Sequence, residues 1–215
     1  MGITDGLTHS RSSLSVAYSA LRPLAPATVW VPDDYRPFLE HILRGTDWNR
    51  SLGEGTPEAR WPDRSHSSST YDTDERLGDI TVEVIGDDLV DVVDATIEQM
   101  RHSGAAVVRV HLPANDPALA VVGAGLPDLG LGFSVYVPGL LPTGDAITVE
   151  WLEDPEIDVS EFHFVNEDIE TLARMVIEQA GEVGGRASRQ RRRAARRAQS
   201  RLMTQGPSTA PPEPL

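Results

Sequence analysis

The chain has 215 residues, of which 40% are apolar and 24% charged, so it has room for one domain with extensions and for a hydrophobic core. It has no cysteine, which excludes disulfide bonds, thiolate nucleophiles and cysteine zinc sites. We find neither a basic-then-apolar leader nor an apolar run of about 18 residues, so we expect a cytoplasmic protein without a membrane helix.

Charge is distributed unevenly along the chain, whose formal net charge is −14 at pH 7. Residues 181–215 contain eight arginines and two glutamates, a balance of +6, which leaves −20 for the other 180 residues. All 19 basic residues are arginine, which we attribute mainly to a GC-rich genome. Because a body of −20 repels nucleic acids and membrane surfaces, we expect only the C-terminal tail to attract them.

The N-terminal part of the chain predicts short elements and one long loop. Residues 13–18 alternate apolar and polar side chains like a half-buried strand, and residues 29–31 form a second, shorter strand candidate. The apolar stripe over 35–43 predicts a helix that Gly45 ends. Residues 45–77 are rich in Ser, Gly, Pro and Thr and lack usable periodicity, so we expect a long, partly disordered loop there.

The hydrophobic pattern from Gly78 to Glu153 is continuous enough to build a sheet with helices packed on it. Strands are predicted at 80–84, 106–110, 133–140 and 146–151, and helices at 89–102 and, further on, at 166–180. The valine-rich strand 106–110 is expected at the centre of the sheet, and Asp88 is expected to cap helix 89–102.

Two further helices carry conflicting signals. A helix capped by Asn115 or Asp116 meets glycines and a proline within about two turns, which predicts a short or kinked helix. Helix 166–180 is expected to end at the glycines that begin with Gly181. The arginine-rich stretch 186–201 is compatible with a helix, and the proline-rich end of the chain is expected to be disordered.

A series of short phrases in this order resembles the second half of a GNAT acyltransferase domain, and most closely the C-terminal half of two-part GNAT-like proteins of bacteria. The phrases are Arg22–Pro32 before a helix, Val110–Pro113 at a strand end, Leu131-Gly132-Phe133 at the start of a strand, and Asp145–Leu152 near the end. The likeness covers roughly residues 11–180. None of the phrases is specific for a reaction, and their order carries the resemblance.

The resemblance implies an α/β (α+β) fold, in which a GNAT-like mixed β-sheet has helices packed on both faces. It divides the chain into an N-terminal extension at 1–28 with one possible strand, a GNAT-like domain at 29–180, and a tail at 181–215 that is first arginine-rich and then proline-rich. The long loop at 45–77 falls within the domain, and the tail is expected to be disordered.

The sequence departs from the family at two motifs that would make it an enzyme. GNAT enzymes hold the pyrophosphate of acetyl-CoA on a loop of the form Q/R-x-x-G-x-G/A before a helix N-terminus, where N–H groups and the helix dipole bind phosphate. The corresponding junction here has one glycine, Gly86, followed by Asp87 and Asp88, whose charges would repel the cofactor. Many GNAT enzymes also place a proton-donating Tyr five residues before the Phe of the Leu-Gly-Phe phrase, where this chain has Asp128.

Few residues remain as candidates for a site. His111, at a strand end, is the candidate for acid–base chemistry, and Gly86 and Arg109 are the candidates for contacting a cofactor. The six histidines show no i, i+3 or i, i+4 pair, so no metal site is predicted. The sequence has no nucleophile-elbow, P-loop or zinc-protease motif, which leaves hydrolase and NTPase functions without support.

Two hypotheses for the function follow. The first is a catalytically silent or degenerate GNAT-like module with an interaction or regulatory role and no cofactor. The alternative is an N-acyltransferase of the GNAT type that transfers an acyl group from acyl-CoA, such as acetyl-CoA, to an amine. Under the first hypothesis the partner is a protein or a second copy of the chain, and the arginine-rich tail contacts an acidic partner or a nucleic acid but no membrane. A separate N-terminal GNAT half supplied by another chain stays open.

Overall fold

A computed structural model describes residues 23–55, 57–155, 163–164 and 166–204, with backbone only beyond Arg192. The strand predicted at 13–18 lies outside the described residues, and so does the proline-rich end. The strands are β1 (Ala27–Val29), β2 (Arg50–Leu52), β3 (His66–Asp72), β4 (Leu77–Val84), β5 (Val107–Pro113), β6 (Leu131–Leu141) and β7 (Gly144–Leu152). The helices are α1 (Arg36–Arg44), α2 (Leu89–His102), α3 (Ala118–Val122) and α4 (Glu167–Thr204), with 3-10 segments at Asp33–Tyr35 and Gly123–Leu129.

The described residues build a five-stranded mixed sheet in the order β3-β4-β5-β7-β6. Only β4 and β5 are parallel, because α2 carries the chain back between them, and the other neighbours are antiparallel. Strand β5 is central, as predicted. The two short strands β1 and β2 pair with each other in parallel, and Trp30 N donates to Ala114 O just beyond the end of β5, which ties this pair to one end of the sheet.

The hydrophobic core covers one face of the sheet. Ile80, Val110 and Val149 lie side by side in register on this face and are fully buried. Helix α2 packs its buried stripe against them, and from α1 the ring of Phe38 stacks on Phe133 at a centroid distance of 4.8 Å. Alternation along a strand then places the polar residues of the same strands on the opposite face.

The opposite face is largely exposed. The side chains of Asp79, Arg109 and His111 retain 35%, 44% and 22% of their accessible surface. Helix α4 lies along the outer edge of β6, where the N–H of Phe133 donates to Gln179 Oε1 at 2.7 Å. Within the described residues we therefore find helices on one face and one edge, and the expectation of helices on both faces is not met.

Several predicted elements are confirmed with small shifts of their ends. Helix α2 has the predicted bounds, and β4 to β7 fall on the four predicted strands. The helix after Asp116 is short, as predicted, and its first turn is held by Ala118 N donating to Asp116 Oδ1 at 2.9 Å. Asp88 precedes α2, but its carboxylate does not cap the helix, because it accepts from Ser65 N at 2.6 Å instead.

The expectation of a structureless loop at 45–77 was wrong. The segment contains β2 and β3, and β3 forms a hairpin with β4 that turns between Asp72 and Leu77. Its sequence, His-Ser-Ser-Ser-Thr-Tyr-Asp, has six exposed residues and buries no apolar stripe. A strand of this kind is stabilised by its ladder with β4 alone, so hydrophobic periodicity carries no signal for it.

The expected end of the last helix at Gly181 was also wrong. Helix α4 continues through Gly184 and Gly185 to Thr204, and the arginine-rich stretch is its second half. Val183 and Ala187 are buried on either side of Gly184, and a Cβ on Gly184 would lie 2.9 Å from Pro155 Cγ. Close packing explains Gly184, and the burial of its neighbours offsets the roughly 1 kcal/mol that a glycine costs inside a helix.

Candidate functional site

The junction between β4 and α2, which contains the predicted site residue Gly86, is filled by the chain itself. Gly86 N donates to Ser65 Oγ at 2.9 Å, and Asp87 N donates to Pro62 O at 3.0 Å. A Cβ on Gly86 would overlap the backbone of Arg64. Residues 61–65, the covering segment, therefore lie directly on the junction. The two N–H groups that start the turn are therefore already satisfied from within the chain.

Both carboxylates of this junction also hold the covering segment. Trp61 Nε1 donates to Asp87 Oδ1 at 2.6 Å, and Ser65 N donates to Asp88 Oδ1 at the same distance. The hydrogen bond from the Ser65 backbone lowers the pKa of Asp88 below its usual value, so this carboxylate is charged at neutral pH. The junction combines occupied donors with two negative charges.

The three site residues predicted from the sequence do not come together. Arg109 pairs in register with Asp79, and His111 with Thr81, whereas Gly86 lies beyond the end of β4. At about 3.3 Å per residue, Gly86 is roughly 20 Å further along β4 than Arg109's partner. The register between β4 and β5 ends at the pair of Thr81 and His111, so the strands separate beyond it.

His111 belongs to a row of hydrogen-bonded polar side chains on the exposed face of the sheet. Its Nδ1 lies 2.9 Å from Thr148 Oγ1, and its Nε2 lies 3.4 Å from Asp79 Oδ1. Neighbouring strands supply these residues at adjacent positions, so the sheet register itself aligns them. The arrangement can orient the imidazole.

The row of polar side chains around His111 lacks features that nucleophilic catalysis needs. Thr148 is 2% exposed, so its hydroxyl is not accessible to a substrate even though it contacts a histidine. Beside it, Arg109 Nε contacts Glu150 Oε1 at 3.2 Å, so the nearest guanidinium is already paired. What the face offers is a half-exposed histidine between a carboxylate and a hydroxyl, which suits proton transfer or polar recognition.

A second polar cluster, at the hairpin of β6 and β7, was not predicted as a site. Asp145 is 2% exposed, and its carboxylate accepts from Arg50 Nε at 2.5 Å, from Tyr136 Oη at 2.7 Å and from Gly139 N at 3.0 Å. Asp145 N also donates to Asn115 Oδ1 at 2.7 Å. The cluster therefore binds β2, the segment after β5 and the β6–β7 hairpin to one another.

The electrostatics of this cluster favour its charged form. Burial acts to raise the pKa of Asp145, but the hydrogen bonds from Arg50, Tyr136 and Gly139 outweigh it, and the pKa lies below its usual value of 3.8. Burial, followed by the hydrogen bond to Asp145, raises the pKa of Tyr136, so the phenol stays protonated and donates. Asp145 directly follows Pro142-Thr143-Gly144, where an aspartate is common in a turn, so the sequence carried no signal for this cluster.

An open cavity of about 450 Å³ borders this cluster, lined by Pro23, Leu24, Leu43, Thr46, Asp47, Trp48, Asn49 and Arg50. The Arg50 guanidinium is engaged on both sides, because Nη1 also donates to Ala25 O at 2.5 Å and to Trp48 O at 3.1 Å. Each of the three guanidinium nitrogens of Arg50 therefore donates to an atom of the chain itself. The cluster is best explained as a structural connection.

The first arginines of the C-terminal stretch contact acidic residues of the body. Arg186 Nη1 lies 3.3 Å from Asp128 Oδ1 and 3.7 Å from Asp34 Oδ1, and Arg191 Nε lies 3.5 Å from Glu98 Oε1. Asp128, in the 3-10 segment after α3, therefore binds α4. The chain's own arginines thus dock on the body at these three carboxylates.

Two further properties bear on the kind of site this chain can have. Among the described residues, no three Asp, Glu or His side chains come together as metal ligands would. In the same part of the chain no helix has both the length and the apolar composition that crossing a membrane requires. Comparison with protein-family models, with curated proteins and with solved structures finds no match to this chain.

Proposed function

We propose that this chain is a catalytically silent GNAT-like module with an interaction or regulatory role. The proposal rests on the resemblance of its phrases and on the order β4-α2-β5-α3-β6, which is the order of elements from which that resemblance was drawn. A mixed α/β sheet with this order supports the resemblance at the level of architecture. Because one fold can host many functions, the function depends on the site.

The observation that carries the proposal is the covered junction between β4 and α2. A pyrophosphate needs converging N–H donors and usually a nearby cation. At this junction Gly86 N and Asp87 N are engaged by Ser65 and Pro62, and both carboxylates hold the segment in place. CoA would have to displace Trp61 to Ser65 and then bind beside two negative charges.

The charge of the chain supports the same conclusion. The body around the junction belongs to the part of the chain with a balance of −20. Arg109, the cation predicted to contact a cofactor, lies roughly 20 Å away along the strand and is paired with Glu150. Arg64, in the segment that covers the junction, is the arginine whose charge acts on Asp88. A single arginine beside the carboxylates of Asp87 and Asp88 does not make the local potential positive, so an anionic cofactor would still be repelled.

The test is titration calorimetry of the full chain with CoA and with acetyl-CoA. We expect a dissociation constant no tighter than about 1 mM, which corresponds to roughly −4 kcal/mol. Micromolar binding by the full chain would contradict the silent-module proposal unless the arginine stretch is responsible. A full-length variant separates these cases if Gln replaces the six arginines of the stretch other than Arg186 and Arg191, which contact the body. Binding that survives these substitutions does not need the rest of the arginine stretch.

The covering segment can be tested in the same titration. Trp61→Ala removes the indole that donates to Asp87 and loosens the segment, with Trp48→Ala, beside Tyr136 of β6, as a matched control away from the junction. If steric cover alone prevents binding, Trp61→Ala gains affinity. We expect no gain, because Asp87 and Asp88 keep their charge when the segment is released.

The alternative, a GNAT-type N-acyltransferase that transfers an acyl group from acyl-CoA to an amine, has one observation in its favour. His111 is half-buried between Asp79 and Thr148, as a general base for an amine would be. Release of free CoA thiol from acetyl-CoA in the presence of amines, abolished by His111→Asn and retained by His102→Asn, would support this alternative. We expect no release above the uncatalysed rate.

A further inference from the structure

Strand β3 is a terminal strand of the sheet with an unpaired outer edge. Among the described residues its ladder partner is β4 alone, so the outward N–H and C=O groups from His66 to Asp72 lack a strand neighbour. Six of its seven residues are exposed and Tyr71 is half-buried. An exposed edge of this length is a template for pairing with another extended strand.

The middle of this edge, from Ser67 to Tyr71, carries none of the usual features that prevent pairing. Strand β3 contains no proline, lysine or arginine, and the irregularity in its ladder lies at its first residue, His66, so the stretch from Ser67 is regular. Edges that must stay single are usually interrupted by charges, prolines or central bulges. The absence of these features from the middle of β3 indicates that a partner strand is tolerated there.

The surface beside β3 is also unusually neutral for this chain. A shallow cavity of about 220 Å³ separates β3 from α2 and is lined by Ser69, Thr70, Tyr71, Thr96, Gln99, Met100 and Ser103, none of which is charged. In a chain with 24% charged residues, such a patch contrasts with the remaining surface. Depletion of charge is typical of the centre of protein interfaces.

We propose that β3 is the dimerisation edge of this protein and pairs antiparallel with β3 of a second copy about a two-fold axis. This inference rests on the proposed interaction role and names its partner. A two-fold axis through an antiparallel pair places one residue opposite its own copy, and Ser69 is the residue that lets all seven positions overlap. The two sheets then join into one continuous sheet of ten strands.

The side chains at the two ends of β3 are complementary in this register, because an imidazole N–H can donate to a carboxylate. His66 lies opposite Asp72 of the partner subunit, and Asp72 lies opposite His66 of the partner subunit. Between them, hydroxyl-bearing side chains from Ser67 to Tyr71 meet one another, and such pairs hydrogen-bond across strands. No like charges face each other along the strand, although each copy carries a net charge of −14.

The test is sedimentation equilibrium of the full chain at physiological ionic strength, up to about 500 µM, since small interfaces are weak. We expect the mass to rise from the monomer value of 23.4 kDa to twice that value with concentration. Ser69→Arg places like charges opposite each other at the two-fold axis and should raise the dimer dissociation constant at least about tenfold. Ser51→Arg, an equal charge change at an exposed position of β2, is the matched control and should leave the constant unchanged.

A second variant tests the register. His66→Asp would bring two carboxylates together at each end of the pairing, so it should also weaken the dimer, while circular dichroism confirms that the fold is intact. A chain that stays at 23.4 kDa at all concentrations overturns the proposal and leaves the edge to a strand from another protein. A dimer that Ser69→Arg does not weaken overturns it as well. Neither result depends on CoA binding, so failure here is distinct from failure of the silent-module proposal.

Discussion

Two arginine–carboxylate pairs in this protein have the same chemistry and opposite environments. Arg50 and Asp145 are 7% and 2% exposed, and every oxygen of the carboxylate accepts hydrogen bonds. Arg109 and Glu150 are 44% and 25% exposed on the open face of the sheet, joined by one contact of 3.2 Å. Removing one partner leaves a buried, uncompensated charge in the first pair and a hydrated one in the second.

This difference separates polar groups that hold the fold together from polar groups that are free to contact a ligand or partner. The Asp145 cluster connects three parts of the fold, so each of its members is committed to stability. The open face, with Asp79, His111 and Glu150, is not required for the core, because the buried residues of the same strands point the other way. If any polar cluster of this chain serves recognition, the exposed one is free to do so.

The largest expected effect is at the buried pair. Asp145→Asn leaves the Arg50 guanidinium buried opposite a neutral amide and should lower the free energy of unfolding by about 3–5 kcal/mol. Glu153→Gln is the matched control, because it breaks the contact between Glu153 and Arg76, whose side chains are 54% and 51% exposed respectively. This substitution should cost no more than about 1 kcal/mol. Urea denaturation of the three proteins measures both values, and equal costs would contradict the contrast.

A smaller effect is expected from the phenol that donates to the same carboxylate. Tyr136→Phe removes one hydrogen bond to a charged acceptor and should cost about 1.5–3 kcal/mol. Tyr71→Phe, which removes a hydrogen bond to Ser103 O at an exposed site, should cost about 1 kcal/mol or less. The difference between their urea midpoints sharpens the comparison, and a larger cost at Tyr71 would contradict it.

Acid should act selectively on the buried pair. Because the pKa of Asp145 is lowered in the folded state, its contribution is complete above the unfolded value near 3.8 and is lost as the pH falls through the folded pKa. We expect the unfolding free energy of the wild type to fall below about pH 4 more steeply than that of Asp145→Asn. Asp88, whose pKa is also lowered, adds to the same slope, so Asp88→Asn should retain part of it. Parallel slopes for wild type and Asp145→Asn would refute the assignment.

The smallest effect is expected at the exposed pair. Arg109→Ala should change the unfolding free energy by about 1 kcal/mol or less, and the change should shrink in high salt, because solvent screens the charges. Thermal denaturation at low and high ionic strength measures this. A cost comparable to that of Asp145→Asn would mean that the open face is part of the core.

The elements that the sequence predicted well are those whose pattern depends on the core. Helix α2 repeats apolar residues from Leu89 to Met100 at helical spacing, and buried and less buried residues alternate along β5 around Val108. In both elements the buried positions must be apolar, so the hydrophobic pattern of the sequence predicts them. Strand β3 was missed because an edge strand with two exposed faces needs no apolar residues. The end of α4 was misplaced because the glycines from Gly181 onward were judged by propensity, which packing at Val183 and Ala187 overrides.

The candidate site was predicted less completely. His111, Gly86 and Arg109 were named from the sequence, but which residues would accompany them depended on strand register, which brings Asp79 and Thr148 to His111 across separations of 32 and 37 residues. The covering of Gly86 by Ser65 involves a separation of 21 residues within a segment that had no recognisable pattern. Local spacing carries no information on such contacts.

By itself the sequence determined the α/β class, the central strand, the helix after Asp88 and the uneven charge, because hydrophobic periodicity and composition are local properties of the chain. Only the tertiary structure decided which face of the sheet stays open, how Arg50 reaches Asp145 over 95 residues, and that the chain covers its own junction at Gly86. These features depend on strand register and on the burial of polar groups, whose free energy is set by partners far away in sequence.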